Sequence, residues 1–260
     1  MKSFWKHSAE LAACLARERL LLTLDFDGTL AALAETPRLA RLRPEYRAAL
    51  KALAVAPGVS VFVLSGRELA DLKALVGLPG LYYGGNHGME LSGPGFAWRD
   101  AGAARLKAGV RSAAAGLLRR FQPGTGVLVE DKGFSASVHY RALKPAYRTG
   151  FFAHMRALTR SGEKRFRWSR GHKVFELRPA AAPDKGDAAL RLARRLKAPC
   201  VLAAGDDLTD EDMFRALAGR GITVRVGRKA GSAAEYYLGR QAEILRLLRF
   251  VTAARRRRIA

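Results

Sequence analysis

Two short apolar runs that do not alternate constrain this chain most. Residues 20–24 read Leu-Leu-Leu-Thr-Leu and lead into Asp25, and residues 59–64 read Val-Ser-Val-Phe-Val-Leu and lead into Ser65. A strand with one wet face alternates polar and apolar residues, whereas a run without alternation is buried on both faces, as in parallel strands covered by helices. Helical stretches from Pro44 to about Ala54 and from Arg67 to Leu75 follow the two runs. This β–helix–β–helix order predicts a doubly wound, mainly parallel, Rossmann-like α/β sheet.

The same alternation of elements returns late in the chain. Residues 185–196 read as a helix, 201–204 as a strand, 210–217 as a helix, 222–226 as a strand and 241–254 as a last helix, with Tyr236 and Tyr237 packing a final strand. The middle differs. A basic helix over about 103–120 precedes strands at 127–131 and 135–141 joined by Lys132-Gly133, and a helix from Pro145 to Ser161 precedes strands at 166–170 and 173–178. Pro94-Gly95 and residues 180–183 read as linkers. A chain of 260 residues has room for a core plus a smaller module. The expected organisation is an α/β core made of residues 1–96 and 181–260, with residues 97–180 inserted as a smaller α+β unit.

Composition narrows the function classes. Lys and Arg number 46 against 23 Asp and Glu, a formal charge of +23 that attracts anions. The excess is spread over helices without an RNA-binding aromatic motif or zinc spacing, so specific nucleic-acid binding is not expected. Arg255-Arg256-Arg257-Arg258 reads as a solvated terminal charge run. Cys14 and Cys200 are far apart in sequence and lack ligand neighbours, so a disulfide framework or zinc site is not expected and both read as reduced packing residues. No apolar run of ~20 residues appears, which predicts a cytoplasmic protein without a membrane segment.

The chemistry-bearing residues cluster where strands end. Asp25-Phe26-Asp27-Gly28-Thr29 places two carboxylates at the carboxyl end of the first strand, where open α/β sheets bind ligands. One carboxylate, Asp25, can attack phosphorus, and the other, Asp27, can give and take the proton. Thr29 offers a hydroxyl to a phosphoryl group, although an isolated Asp-Gly also reads as a plain turn. Ser65-Gly66-Arg67 ends the second strand, where a hydroxyl and the first amides of the next helix suit phosphate oxygens, or where Ser65 simply caps that helix. Lys185 opens a helix and can neutralise both the phosphoryl group and Asp25. Gly205-Asp206-Asp207-Leu208-Thr209-Asp210-Glu211-Asp212 gathers acid in a basic chain and suits Mg²⁺, with Asp206, Asp25 and the Asp27 carbonyl as ligands and Asp207 direct or through water. Asp210, Glu211 and Asp212 read as acids favouring the start of the next helix.

Asp-Phe-Asp-Gly-Thr, Ser-Gly-Arg, Lys185 and Gly-Asp-Asp-x-Thr-Asp, in this order, resemble the haloacid-dehalogenase phosphatase superfamily. The insertion between the second and third motifs looks like its C2-type cap. Nearly the whole chain is similar to the trehalose-phosphate phosphatase family, through residues 84–90 (Gly-Gly-Asn-His-Gly-Met-Glu), 129–141 (Val-Glu-Asp-Lys-Gly-Phe-Ser-Ala-Ser-Val-His-Tyr-Arg) and 173–179 (Lys-Val-Phe-Glu-Leu-Arg-Pro). That resemblance implies hydrolysis of trehalose 6-phosphate through an aspartyl-phosphate, and a cap that closes over the core. It implies sugar contacts from Glu130, Lys132, Arg141, Lys173 and Glu176, with Asn86 near the junction of core and cap.

Alternation places Ser137, His139 and Arg141 on one strand face and Ala136, Val138 and Tyr140 on the other, so a polar face is available. Lys173 and Glu176 are three apart and would point oppositely on a regular strand. Either Lys173 lies in a turn after Gly171-His172, or one of the pair does not touch sugar. The expected partner is a small sugar phosphate. A monomer is expected, with association to a trehalose-phosphate synthase as a possibility. The alternatives are the same chemistry on sucrose phosphate or mannosyl-3-phosphoglycerate, and a non-catalytic regulatory partner of such a synthase.

Overall fold

The structure is a computed structural model that describes residues 1–16, 19–122, 124–160, 164–171 and 173–256. Ser161, His172 and the tail residues Arg257 and Arg258 lie outside the described residues. The first segment runs β1 (Lys2–Ser3), α1 (Ser8–Leu15), β2 (Leu20–Asp25), α2 (Pro44–Ala54), β3 (Val59–Leu64), α3 (Leu69–Val76), β4 (Tyr82–Gly85), β5 (Glu90–Gly93) and β6 (Phe96–Arg99). The middle segment holds α4 (Ala101–Arg105), α5 (Lys107–Arg120), β7 (Leu128–Asp131), β8 (Ala136–His139), α6 (Arg148–Arg160), β9 (Phe166–Gly171) and β10 (Val174–Pro179). The last runs α7 (Lys185–Leu196), β11 (Cys200–Gly205), α8 (Asp210–Ala216), β12 (Ile222–Val226), β13 (Tyr236–Leu238) and α9 (Glu243–Arg256). The chain divides into two compact units, Met1–Trp98 with Pro183–Ala260, and Arg99–Ala182.

Among the described residues the larger unit is built on a nine-stranded sheet in the order β1-β13-β12-β11-β2-β3-β4-β5-β6. Every pairing from β1 through β4 is parallel, and β5 pairs antiparallel to β4. The doubly wound α/β expectation is met. Strand β2 shows why its sequence does not alternate: Leu20, Leu22 and Leu24 enter one core cluster and Leu21 the cluster on the opposite face. Each fully buried Leu contributes about 1.5–3 kcal/mol, so this strand is fixed at the centre of the sheet. Because β2 lies between β11 and β3, the chain leaves it in opposite directions, and a crevice opens beyond its carboxyl end.

Two local expectations are corrected. Arg255, read as part of a solvated terminal charge run, is 2% exposed and donates to the Leu15 and Pro57 carbonyls at 3.2 and 2.6 Å, because α9 carries it into the core unit. Pro94-Gly95 is a tight turn between β5 and β6, with Gly95 at φ +59°; a Pro-Gly pair reads equally as a loop until pairing partners are seen. Cys14 and Cys200 are both free, as expected, and are neighbours in space, their Sγ atoms 2.8 Å apart, because α1 packs beside the start of β11.

In the second unit a four-stranded sheet runs β7-β8-β10-β9 with all pairings antiparallel. Val129, Ala136, Val138, Tyr140, Phe175 and Leu177 cover one face together with Val110, Ala114 and Leu117 of α5 and Phe151 and Met155 of α6. The opposite face carries a row in which Glu130 and Glu176 flank Ser137, continued by Ser169. No helix among the described residues is long and apolar enough to cross a membrane.

Candidate active site

Asp25 ends β2 and is 4% exposed. Lys185 is the first residue of α7, whose start is fixed by a capping box between Asp184 and Asp187. Its Nζ donates to Asp25 Oδ1 at 2.6 Å and to Asp210 Oδ1 at 2.7 Å. Asp210 Oδ2 in turn accepts from the backbone N–H groups of Asp206 and Asp207 at 2.9 and 3.0 Å. The chain needs a glycine at position 28 for this assembly. Gly28 has φ +87°, and a Cβ there would fall 2.2 Å from Asp206 Oδ2.

The electrostatics of the cluster are one-sided. Burial pushes the Asp25 carboxyl up, Lys185 pulls it down, and the charges of Asp210 and Asp206 push it up again. Burial and the neighbouring Asp210 and Asp207 raise Asp206 to about 7. Lys185 stays protonated, since the carboxylates of Asp210 and Asp25 more than offset the effect of its burial. Among the described residues Asp25, Asp206 and Asp210 each offer a carboxylate oxygen, all within 4.8 Å of one another. When all three are ionised, three carboxylates against one ammonium leave an excess of two negative charges, which a divalent cation would balance. Hard oxygen donors of this kind fit Mg²⁺.

The remaining expected residues fall into place differently. Thr29 is fully buried and its Oγ1 donates to Asp206 Oδ1 at 3.2 Å, which ties the hydroxyl to the acidic loop. The Arg67 side chain is engaged by carboxylates and a carbonyl. Its Nε and Nη2 donate to the two oxygens of Asp27, each at 2.7 Å, Nη1 reaches Asp71 at 2.8 Å, and Nη2 also reaches the Pro37 carbonyl. A planar fork matches a carboxylate bidentately, which is the physical reason for this pairing. Burial opposes the Arg67 charge, but Asp27 and Asp71 hold it well above its usual value.

Ser65 is buried at the end of β3, and its Oγ accepts from the Arg67 N–H at 3.2 Å. Gly66 packs on the His87 ring, whose Cε1 would lie 2.6 Å from a Cβ there. Asn86 is fully buried; its side chain donates to Glu90 at 3.1 Å and its backbone N–H to the Arg67 carbonyl at 2.7 Å. The geometry thus makes Asn86 part of a brace behind Ser65-Gly66-Arg67. Asp207 stands outside the carboxylate trio, which contains Asp210 in its place.

In the second unit, Lys132 Nζ and Ser137 Oγ both donate to Glu176 Oε1, at 3.3 and 3.1 Å, and His139 Nε2 lies 2.8 Å from Glu130 Oε2. Lys173 precedes β10 at φ +59°, outside the strand's alternation. Arg141 is exposed in the turn after β8.

Sequence reasoning missed the partners of Asp210, Glu211 and Arg225. Arg225 is a lone charge in the apolar strand Ile-Thr-Val-Arg-Val, and a buried charge demands a partner; that was the available signal. Glu211 supplies it at 2.8 Å.

A mainly parallel sheet with Asp25 at a central strand end, a buried lysine and an acidic loop beside it is the arrangement of the haloacid-dehalogenase fold. A haloacid dehalogenase-like hydrolase from B. subtilis shares this fold at TM-score 0.55 and 17% identity, over 88% of this chain and 98% of that one. Residues 23–238 match the family model described as trehalose-phosphatase, and the chain belongs to that family. A trehalose-phosphate phosphatase of Mycobacterium bovis is 40% identical over 225 residues, covering 83% of this chain and 56% of the relative. The chain therefore spans about half the length of the curated relatives it matches. The C-terminal domain of a C. albicans trehalose-6-phosphate phosphatase has the same fold, at TM-score 0.80 and 22% identity over 95% of this chain and 96% of that one.

Proposed function

We propose that this chain hydrolyses trehalose 6-phosphate to trehalose and phosphate, the last step of trehalose biosynthesis, through an aspartyl-phosphate on Asp25. The observation that carries the reading is the contact of buried Lys185 with both Asp25 and Asp210, at a strand end where the family's chemistry is expected. The names of the matched relatives support the substrate. The complete carboxylate–lysine set favours an enzyme over a silent regulatory partner.

In the first step an Asp25 oxygen attacks phosphorus, the P–O bond to the sugar breaks, and Asp27 gives its proton to the departing oxygen. Water then attacks phosphorus while Asp27 takes a proton back, the P–O bond to Asp25 breaks, and phosphate leaves. Lys185 offsets charge on Asp25 and on the phosphoryl oxygens throughout. Ser65 and the amides around Gly66 hold the phosphoryl group. Asp25, Asp206 and the Asp27 carbonyl would hold Mg²⁺, with Asp210 and Asp207 close by. When bound, the ion would polarise the phosphoryl oxygens and screen them from Asp25. Glu130, Lys132, Arg141, Lys173 and Glu176 would supply sugar specificity, since the polar sheet face of the second unit offers both donors and acceptors to hydroxyl groups.

Phosphate release from trehalose 6-phosphate, sucrose 6-phosphate and mannosyl-3-phosphoglycerate tests the reading, with Mg²⁺ present. The expected result is a kcat/KM at least about tenfold higher for the first, equivalent to ~1.4 kcal/mol, and no turnover by Asp25→Asn. Preference for another sugar phosphate would remove the substrate; wild-type turnover by Asp25→Asn would remove the nucleophile.

A further inference from the structure

The acidic loop after β11 is held by both sides of its peptide groups. The N–H groups of Asp206 and Asp207 are taken by Asp210 Oδ2. Their carbonyl oxygens are taken from the other side by one residue, Arg225: Nη2 donates to the Asp206 carbonyl, and Nη1 to the Asp207 carbonyl at 3.3 Å. Arg225 lies opposite Gly205 in the β11–β12 ladder, one residue before the loop it grips. It is 6% exposed, so its charge has left water.

The guanidinium is itself held. Nη1 donates to Glu211 Oε1 at 2.8 Å, and Glu211 Oε2 accepts from the Ala233 N–H at 2.8 Å. Glu211 thereby ties the start of α8 to Arg225 and to the connection between β12 and β13. A buried ion pair of this sort adds little net stability, because desolvation consumes most of the Coulomb gain. What it does supply is direction. The peptide group between Asp206 and Asp207 is fixed on both edges, its carbonyl by Arg225 and its N–H by Asp210, and the groups on either side are each fixed on one edge; their rotation is what would swing the Asp206 carboxylate away from Asp25.

We propose that Arg225, seated by Glu211, is a positioning residue that holds the Asp206–Asp207 backbone so that Asp206 presents its carboxylate to the divalent ion. The inference rests on the assignment of Asp25 and Asp206 as ligands in the proposed function. Arg225 touches neither ion nor substrate; its effect runs through the loop it grips. Groups behind a metal ligand that fix its orientation change metal affinity by about 10–100-fold when removed, and that is the scale expected here.

The test is Mg²⁺ titration of the purified chain by calorimetry, without substrate, for wild type, Arg225→Gln and Arg225→Lys, with circular dichroism confirming the fold. Arg225→Gln should bind Mg²⁺ about 10–100-fold more weakly. In turnover it should raise the Mg²⁺ concentration needed for half activity by a similar factor, while the KM for sugar phosphate holds and kcat recovers as Mg²⁺ saturates. Arg225→Lys keeps a cation that reaches one carbonyl and should fall between. If Arg225→Gln does not fold, the lysine variant decides alone. Wild-type Mg²⁺ affinity in a folded variant, or a kcat loss that saturating Mg²⁺ does not repair, overturns the brace and leaves the proposed function standing. A wild-type chain that takes up no Mg²⁺ removes the ligand assignment itself, and the brace with it.

Discussion

In the proposed mechanism Asp27 and Arg67 set a condition on proton transfer. Both Asp27 oxygens accept from Arg67, and a proton on one of them removes the negative charge that makes this bond strong, so protonation of Asp27 competes with the Arg67 fork. Arg67 therefore aims Asp27, and its grip weakens when Asp27 carries a proton. The consequence depends on the leaving group: a sugar alkoxide needs the proton, whereas 4-nitrophenolate departs without it. For Arg67→Ala we expect kcat on the sugar phosphate to fall about 100-fold, within the range of general-acid contributions, and kcat on 4-nitrophenyl phosphate to fall much less. Equal losses on the two substrates would place Arg67 on the phosphoryl group or in the fold alone.

Helix α7 shows how an element serves a side chain at its first position. Asp184 accepts from the N–H groups of Gly186 and Asp187 at 2.8 and 3.1 Å, and Asp187 returns a bond to the Asp184 N–H at 3.2 Å. Removing that cap costs about 1 kcal/mol. Asp184→Ala should lose roughly this much in urea unfolding and should also lower kcat, since Lys185 is the next residue; an unchanged kcat would show that β2 and α8 hold Lys185 without the cap. Elements of this type were legible in advance where local pattern suffices. Residues 20–25 and 59–64 read as central strands because they do not alternate polar with apolar residues, and Lys185 reads as the opening of the helix over 185–196. The partners were not legible. Asp210 reads as a helix-start acid, and only the packing of α7 against α8 shows that it meets Lys185. The approach of Cys14 to Cys200 depends on where α1 docks, which no spacing encodes. Pro94-Gly95 reads as loop whether it joins units or turns a hairpin.

At the scale of the molecule the charge of +23 acts beyond any single contact. Such a field gathers anionic substrates and is screened over ~10 Å at 0.1 M salt. The expected outcome is a kcat/KM for phosphorylated substrate that falls several-fold between about 10 mM and 150 mM NaCl while kcat stays level; a flat kcat/KM would show that the charge serves another purpose. The sign asymmetry also explains why the acidic loop is conspicuous in this chain: it is a negative island in a positive background.

The contact between Asp25 and Lys185 joins residues 160 positions apart across 2.6 Å. On the ribosome, strand β2 emerges long before its counter-cation exists, and the proposed nucleophile stays wet and idle until α7 and β11 have been made and docked beside it. Non-local closure of this kind is slow. Competence therefore arrives in one late step, and a nascent or truncated chain ending inside the second unit would hold an aspartate with no means of using it.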